Sequence, residues 1–266
     1  CPQSASGRCH GILRPDQSWP VDLLAAGTVI DFESITAVIL SFIGGMLDVY
    51  CLYNFGIYGM LHTGNVIKLI TYLIDWDIPM FLATFFIIIS FAIGIFLANL
   101  YSHLRKSKSA KGLLVITIVL LAIIILIPND KEAGALSYIK YLSAMLFGLE
   151  GAFILHSFVK FGDYSYSATT MTANISRFVS NLFDRIVKKD KTKGYSVLTY
   201  ALILLFFMAG VATGYSYMRF IPEIQGGFMG LYEYNLILLI PFGLLIMTLV
   251  MTNMIDRKTV AMVGNE

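Results

Sequence analysis

The sequence predicts an all-α integral membrane bundle, and three observations carry that prediction. Hydrophobic residues make up 57% of the 266-residue chain and charged residues only 14%, with a mean hydropathy of +0.75. A soluble domain carries about 25% charged residues. Six apolar stretches are long enough, or nearly so, to cross a bilayer core, which takes about 20 helical residues. Lys and Arg are spread very unevenly among the segments that join those stretches.

Residues 1–33 differ from the rest. They hold Pro2, Pro15, Pro20 and several glycines and lack the charged, apolar and small-residue series of a signal peptide. They read as a poorly ordered extension. The first span, 35–58, is interrupted by Asp48. A break of small polar residues follows, His62-Thr63-Gly64-Asn65, and then a short apolar segment, 66–76. The second span is 79–101, with Pro79 in its first turn, where Pro is tolerated. The third, 112–128, is short and almost uniformly Ile, Leu and Val. The fourth, 138–161, carries Lys140, Glu150, His156 and Lys160. The fifth is 195–218. The sixth is 234–253, where Pro241 predicts a kink. The domain division is an extension at 1–33, a first membrane repeat at 34–128, a second at 137–253 and a cytoplasmic tail at 254–266.

Six crossings put 15 of the Lys and Arg residues on one side and 4 on the other. The cationic side of a membrane protein faces the cytoplasm, so both termini are expected there. Were 66–76 a full crossing, the basic loop with Arg105, Lys106, Lys108 and Lys111 would move outside and the bias would weaken. That segment is therefore expected to be re-entrant or interfacial, as its length of about eleven residues also suggests.

Other classes find little support. A net charge of +2 gives no reason to expect nucleic acid. Cys1, Cys9 and Cys51 have no spacing that implies a disulfide framework or a zinc site, and the four histidines are scattered. No cofactor or metal is expected. The chain carries no Ser/His/Asp, metal-ligand or phosphate-loop pattern, so it is not expected to be an enzyme. The expected partners are the lipid bilayer and a small-molecule or ion substrate, and a homo-oligomer is compatible with the sequence.

The two halves resemble one another. Phe55-Gly56 followed by His62-Thr63-Gly64-Asn65 matches Phe161-Gly162 followed by Met171-Thr172-Ala173-Asn174. Gly45 then falls on Gly151, Gly44 on Glu150, and Gly94-x-x-x-Ala98 on Gly210-x-x-x-Gly214. Three crossings per half is an odd number, so the second half is expected to be inserted upside down. Inverted repeats with broken helices near the midplane are the architecture of many secondary transporters. The fold class is therefore six transmembrane helices in two inverted three-helix repeats, with short re-entrant or interfacial helices after the Thr-Gly-Asn-type breaks.

The run Phe42-Ile43-Gly44-Gly45-Met46-Leu47-Asp48-Val49-Tyr50, taken with His62-Thr63-Gly64-Asn65, resembles the YoaK family of bacterial membrane proteins, also called DUF1275. Leu146-Phe147-Gly148-Leu149-Glu150-Gly151-Ala152-Phe153 with Ala168-Thr169-Thr170-Met171-Thr172-Ala173-Asn174 looks like that family's second stretch. The resemblance implies a multi-pass inner-membrane protein and names no substrate. The chain departs from the family's pattern at Ala173, where Gly is expected, and at Glu150, where an amide is usual.

Asp48 is the first candidate for a solute or ion pathway. An intramembrane acid faces a bundle interior or a water-filled cavity and is by default a functional hypothesis. The bland alternative is a carboxylate hydrogen-bonded to helix ends. Glu150 matches Gly44, one turn from Asp48 on the same helical face, so the two acids are expected to approach each other across the repeat axis. Thr63, Asn65, Thr170, Thr172 and Asn174 are candidate helix caps that aim two helix N-termini at a polar solute or anion, or are caps alone. His62 sits beside the first break, as a relay or a satisfied interfacial residue. Gly44, Gly45, Gly94, Gly210 and Gly214 are expected to let helices approach closely. The expected function is a permease for a small solute, with proton or cation coupling. The alternative is a non-transporting scaffold or lipid-binding assembly partner.

Overall fold

The computed structural model describes residues 32–105, 110–127, 138–157, 160–161, 164–167, 170–220 and 233–263. The predicted extension, apart from residues 32 and 33, lies outside these residues. So do Lys106, Lys108, Lys131 and Gly162.

The described chain is helical apart from two two-residue strands. Its elements are α1 (Phe32–Phe55), α2 (His62–Ile74), α3 (Ile78–Arg105), α4 (Ala110–Leu126), α5 (Tyr138–Ser157), β1 (Lys160–Phe161), β2 (Tyr164–Ser165), α6 (Met171–Ile186), α7 (Gly194–Phe220), α8 (Glu233–Leu236) and α9 (Leu239–Val263). Four of them, α1, α3, α5 and α7, are long and apolar enough to cross a membrane, and α4 and α9 contain shorter apolar helices. This is the make-up of an integral membrane protein. The strands pair antiparallel, Lys160 opposite Ser165 and Phe161 opposite Tyr164. β1 occupies the end of the predicted fourth span, which stops as a helix at Ser157.

Two helix crossings organise the bundle, α1 on α7 and α3 on α5. Small residues set both. A methyl group on Gly210 would collide with the Phe42 carbonyl oxygen, and one on Gly45 with the Phe207 carbonyl oxygen. On the other pair, a Cβ at Gly94 would stand 2.6 Å from the Ala152 Cβ, and one at Gly148 would stand 2.5 Å from the Ile87 carbonyl oxygen. Gly214 lies against Val49, and Gly44 is buried within α1. Small residues allow backbones to approach where lipid offers no hydrophobic drive for association. α1 is the central helix: 78% of its apolar window is buried, against 28% for α3 and for α7.

The two short helices, α2 and α6, are amphipathic. α2 exposes Val66, Ile67, Ile70, Leu73 and Ile74, and α6 exposes Ile175, Val179, Phe183 and Ile186. In both the exposed residues recur at three- and four-residue intervals, one stripe of a helix surface. α2 packs on α3 and α6 on α7. At 13 residues, α2 is too short to span a bilayer core.

The sixth predicted span needs correction. It is broken at Ile237 and Leu238, between α8 and α9. Pro241 therefore lies in the first turn of α9 and does not kink a continuous helix. There its missing N–H is one that a helix start leaves unpaired in any case. α9 also runs on to Val263, past the boundary expected at 253.

The short helix before the break carries a residue that the sequence did not single out. Asn235 is buried, and its Nδ2 donates to the carbonyls of Ile125 (3.0 Å) and Ile127 (2.7 Å), while its Oδ1 accepts from the Tyr50 hydroxyl at 2.5 Å. One amide thus satisfies open carbonyls at the C-terminal end of α4 and ties that end to α1.

Gly210→Ala is expected to force α1 and α7 apart at a cost of about 1–3 kcal/mol, the range for overpacking a tight contact. Gly243→Ala is the control, since a Cβ there meets nothing within 4 Å. Melting of the detergent-solubilised protein should fall for the first variant and hold or rise for the second. Equal melting temperatures would contradict the assigned packing.

Candidate functional site

α1 ends at Phe55 because Gly56 takes a left-handed conformation, φ +71°, open to glycine at no steric cost. The Gly56 N–H closes the helix on the Leu52 carbonyl at 3.1 Å. The Gly56 carbonyl in turn accepts from Lys68 Nζ at 2.5 Å and from the Tyr72 hydroxyl at 3.3 Å, both on α2. The chain then doubles back, so that residues 59–61 lie beside the middle of α1.

Asp48 meets this returning segment. Its Oδ1 accepts from the Met60 N–H at 2.7 Å and from the Leu61 N–H at 3.1 Å. These amides stand just before α2 and have no helical partner, so a buried carboxylate satisfies them. A charge-assisted bond of this kind is roughly twice as strong as a neutral one. Asp48 thereby does the work expected of the threonines.

The expected caps are corrected. The N-cap residues are Leu61 for α2 and Thr170 for α6, and neither makes a side-chain cap bond. Thr63 and Thr172 lie inside the first turns. With Thr170 they are exposed. The asparagines act instead, and in the same way. Asn65 Nδ2 donates to the Tyr58 carbonyl at 2.7 Å while its Oδ1 accepts from the Tyr58 N–H at 2.8 Å. Asn174 Nδ2 donates to the Ser167 carbonyl at 2.6 Å while its Oδ1 accepts from the Ser167 N–H at 3.2 Å. Each amide clasps both backbone groups of the residue seven places earlier. Each is buried completely. Only a carboxamide offers a donor and an acceptor side by side for such a pairing.

α5 closes the other side of the segment 59–61. A Cβ at Gly151 would lie 3.3 Å from the Gly59 carbonyl oxygen and 3.8 Å from His62 Nε2. The His62 ring stacks on Phe91 of α3, with centroids 3.7 Å apart. Glu150, next to Gly151, is 0% exposed. Among the described residues neither of its carboxyl oxygens has a hydrogen-bond partner, and neither ring nitrogen of His62 has one.

The structure therefore brings Asp48, His62 and Gly151 together around one returning segment, with Glu150 on the adjoining turn of α5. No hydrogen bond joins Asp48 to Glu150 among the described residues, and Thr63, Thr170 and Thr172 stand outside this centre. The second break lacks an acid: Ile154 occupies the position that matches Asp48 in the repeat. Its loop is held through Ser165, whose carbonyl accepts from the Tyr200 hydroxyl at 2.5 Å.

Residues 36–251 match the family described as "Protein of unknown function (DUF1275)". The chain belongs to that family. No curated protein and no solved structure matches it.

Asp48→Ala should free the Met60 and Leu61 amides, at a cost of about 1–3 kcal/mol for buried donors left unsatisfied. Asp48→Asn keeps an oxygen acceptor and should lose less. Hydrogen exchange read by mass spectrometry should show faster exchange across residues 58–62 in the Ala variant. Unchanged protection there would refute the bracing role.

Proposed function

For this member of the DUF1275 family we propose a carrier of a small solute, coupled to a proton or another cation. It has six spans in two inverted halves. α4 and α9 complete the six with the four longer helices. The protein resides in a bacterial inner membrane with both termini in the cytoplasm, on the strength of the Lys and Arg distribution. It has no catalytic role.

The observation that carries the proposal is the repeated asparagine clasp. Tyr58 with Asn65 and Ser167 with Asn174 make the same two bonds across the same seven-residue interval. Each clasp precedes a short amphipathic helix, and each lies between helices that change partners between halves. α1, first in its half, crosses α7 of the other, while α5 crosses α3. Paired breaks at matching positions support a binding region between repeats. The exposed apolar stripes of α2 and α6 suit helices seated in the membrane interface.

One observation favours the alternative, a non-transporting scaffold. Asp48 is engaged by backbone amides and has the surroundings of a structural acid. Flux decides between the readings. In proteoliposomes given a pH gradient and a broad mixture of small metabolites, at least one solute should accumulate beyond the level in empty vesicles. If none moves in either direction, the scaffold is favoured.

The inverted arrangement has its own test. With the three native cysteines replaced, Asp75→Cys and Thr192→Cys should react with a membrane-impermeant maleimide from opposite sides of sealed vesicles. Reaction from the same side would exclude inversion.

A further inference from the structure

We propose that α6 and the basic turn after it form a docking surface for acidic phospholipid headgroups, and that α2, the helix after the first break, does not. The inference concerns the membrane partner. It holds for a carrier and for a scaffold alike.

The two short helices share one kind of face and differ in charge. Each exposes an apolar stripe, Ile175, Val179, Phe183 and Ile186 on α6 and Val66, Ile67, Ile70, Leu73 and Ile74 on α2. Residues 62–77 hold one lysine, Lys68, and two acids, Asp75 and Asp77. Lys68 is already engaged, since its Nζ donates to the Gly56 carbonyl at 2.5 Å. Residues 177–193 hold six Lys and Arg against two Asp, a surplus of four positive charges. An apolar stripe alone seats a helix at the acyl boundary, and cations beside it add attraction to anionic lipid.

The cations of α6 are not neutralised from within. Lys188 pairs with Asp184 at 2.7 Å, and among the described residues no other of the six has an acidic partner. Asp190 serves its own turn: its Oδ1 accepts from the Thr192 N–H at 3.0 Å and from the Thr192 hydroxyl at 2.6 Å. Lys188, Lys189 and Lys191 are exposed, while Lys193 is partly buried with its Nζ over the Tyr164 ring. Like charges this close repel one another, and an anion beside them relieves that repulsion.

The backbone groups these cations at one end of the stripe. The Asp190 N–H closes the end of α6 on the Asp184 carbonyl at 3.2 Å, with Lys189 in the left-handed conformation, φ +55°. Glycine commonly fills that place and does so at no steric cost. Here it holds a lysine. Arg185 reaches across the turn, where its guanidinium lies against Gly194, the first residue of α7. Lys188 Nζ stands 5.9 Å from the centre of the Phe183 ring, which belongs to the stripe. Cations and apolar face are thus continuous.

One kind of partner meets both parts. An acidic soluble partner would meet the cations and leave the stripe in water. A second copy seated on the same face would bring two positive surpluses together. A bilayer of acidic phospholipid offers acyl chains to the stripe and phosphate groups to the lysines.

Hydrogen exchange of the full chain in lipid nanodiscs, read by mass spectrometry, tests this. With about one third phosphatidylglycerol in phosphatidylcholine, residues 175–193 should exchange at least about fivefold more slowly than in phosphatidylcholine alone, a factor equal to roughly one lysine's attraction to an anionic surface. Residues 62–77 should exchange alike in both. Lys188→Gln, Lys189→Gln and Lys191→Gln combined should bring the ratio below about twofold, with the melting temperature in phosphatidylcholine unchanged because these side chains are exposed. Inorganic phosphate added to phosphatidylcholine discs should change nothing. Equal exchange in the two lipids would overturn the proposal, and so would slowing that persists in the triple variant or appears equally on α2. Slowing by inorganic phosphate would assign a free-anion site in its place. Slowing that needs two copies in one disc, whatever the lipid, would assign the face to a second chain, and either result overturns the lipid assignment.

Discussion

The fold depends on one constraint: a helix that breaks inside an apolar bundle exposes backbone groups that water cannot reach. Each must then be satisfied by protein. This chain breaks at least three times among its described residues, after α1, before α6 and between α8 and α9. At the first two a buried side chain supplies the missing partner: Asp48 and Asn65 serve the first and Asn174 the second, while Asn235, just before the third, serves the open carbonyls at the end of α4. Apart from these four side chains, the buried polar residues among those described are Ser, Thr and Glu150. The bundle tolerates irregular backbone at the first two breaks because Asp48, Asn65 and Asn174 pair with the amides and carbonyls of Tyr58, Met60, Leu61 and Ser167.

The same constraint sorts the polar residues by role. An acid whose oxygen already receives two N–H groups is committed, because to withdraw it would orphan those donors. An acid buried to the same degree with nothing bound has no such commitment. Asp48 and Glu150 stand on opposite sides of that line. Burial alone would have treated them alike, and so would their common description as intramembrane acids. The hydrogen-bond accounting separates them: the acid engaged by amides is on α1, and the one whose oxygens have no partner is on α5.

Much of the architecture was legible in the sequence because apolar length and helical interval are local properties. The helical cores of the first three spans, the helical segment at 66–76 and the small residues at the crossings followed from such patterns. The candidate site was less legible. Thr63 and Thr172 look like caps by residue type, yet Asp48 and the two asparagines satisfy the breaks through bonds spanning 7 to 13 residues. Nothing in the local sequence announces those partners. Asn235 was invisible for a stronger reason: it pairs with carbonyls more than a hundred positions away. The signal that could have found it is its type, an amide just before a proline-bearing apolar run. Pro241 misled because a kink and a helix start share the same residue and differ only in whether a preceding turn exists.

The match between halves is a match of devices more than of chemistry. Both asparagine clasps are kept to the bond, whereas the acid beside the first is absent from the second, where Ile154 is buried in its place. The buried acid of the second half, Glu150, stands one turn away, matching Gly44, which is buried within α1. Among the described residues each half therefore carries one buried acid, at positions that do not correspond. If the halves exchanged conformations, as inverted repeats do when access alternates, the brace at Asp48 would have no equivalent to take over its amides. The two breaks share the clasp and differ in that one brace; the second is tied instead by the Tyr200 hydroxyl on the Ser165 carbonyl.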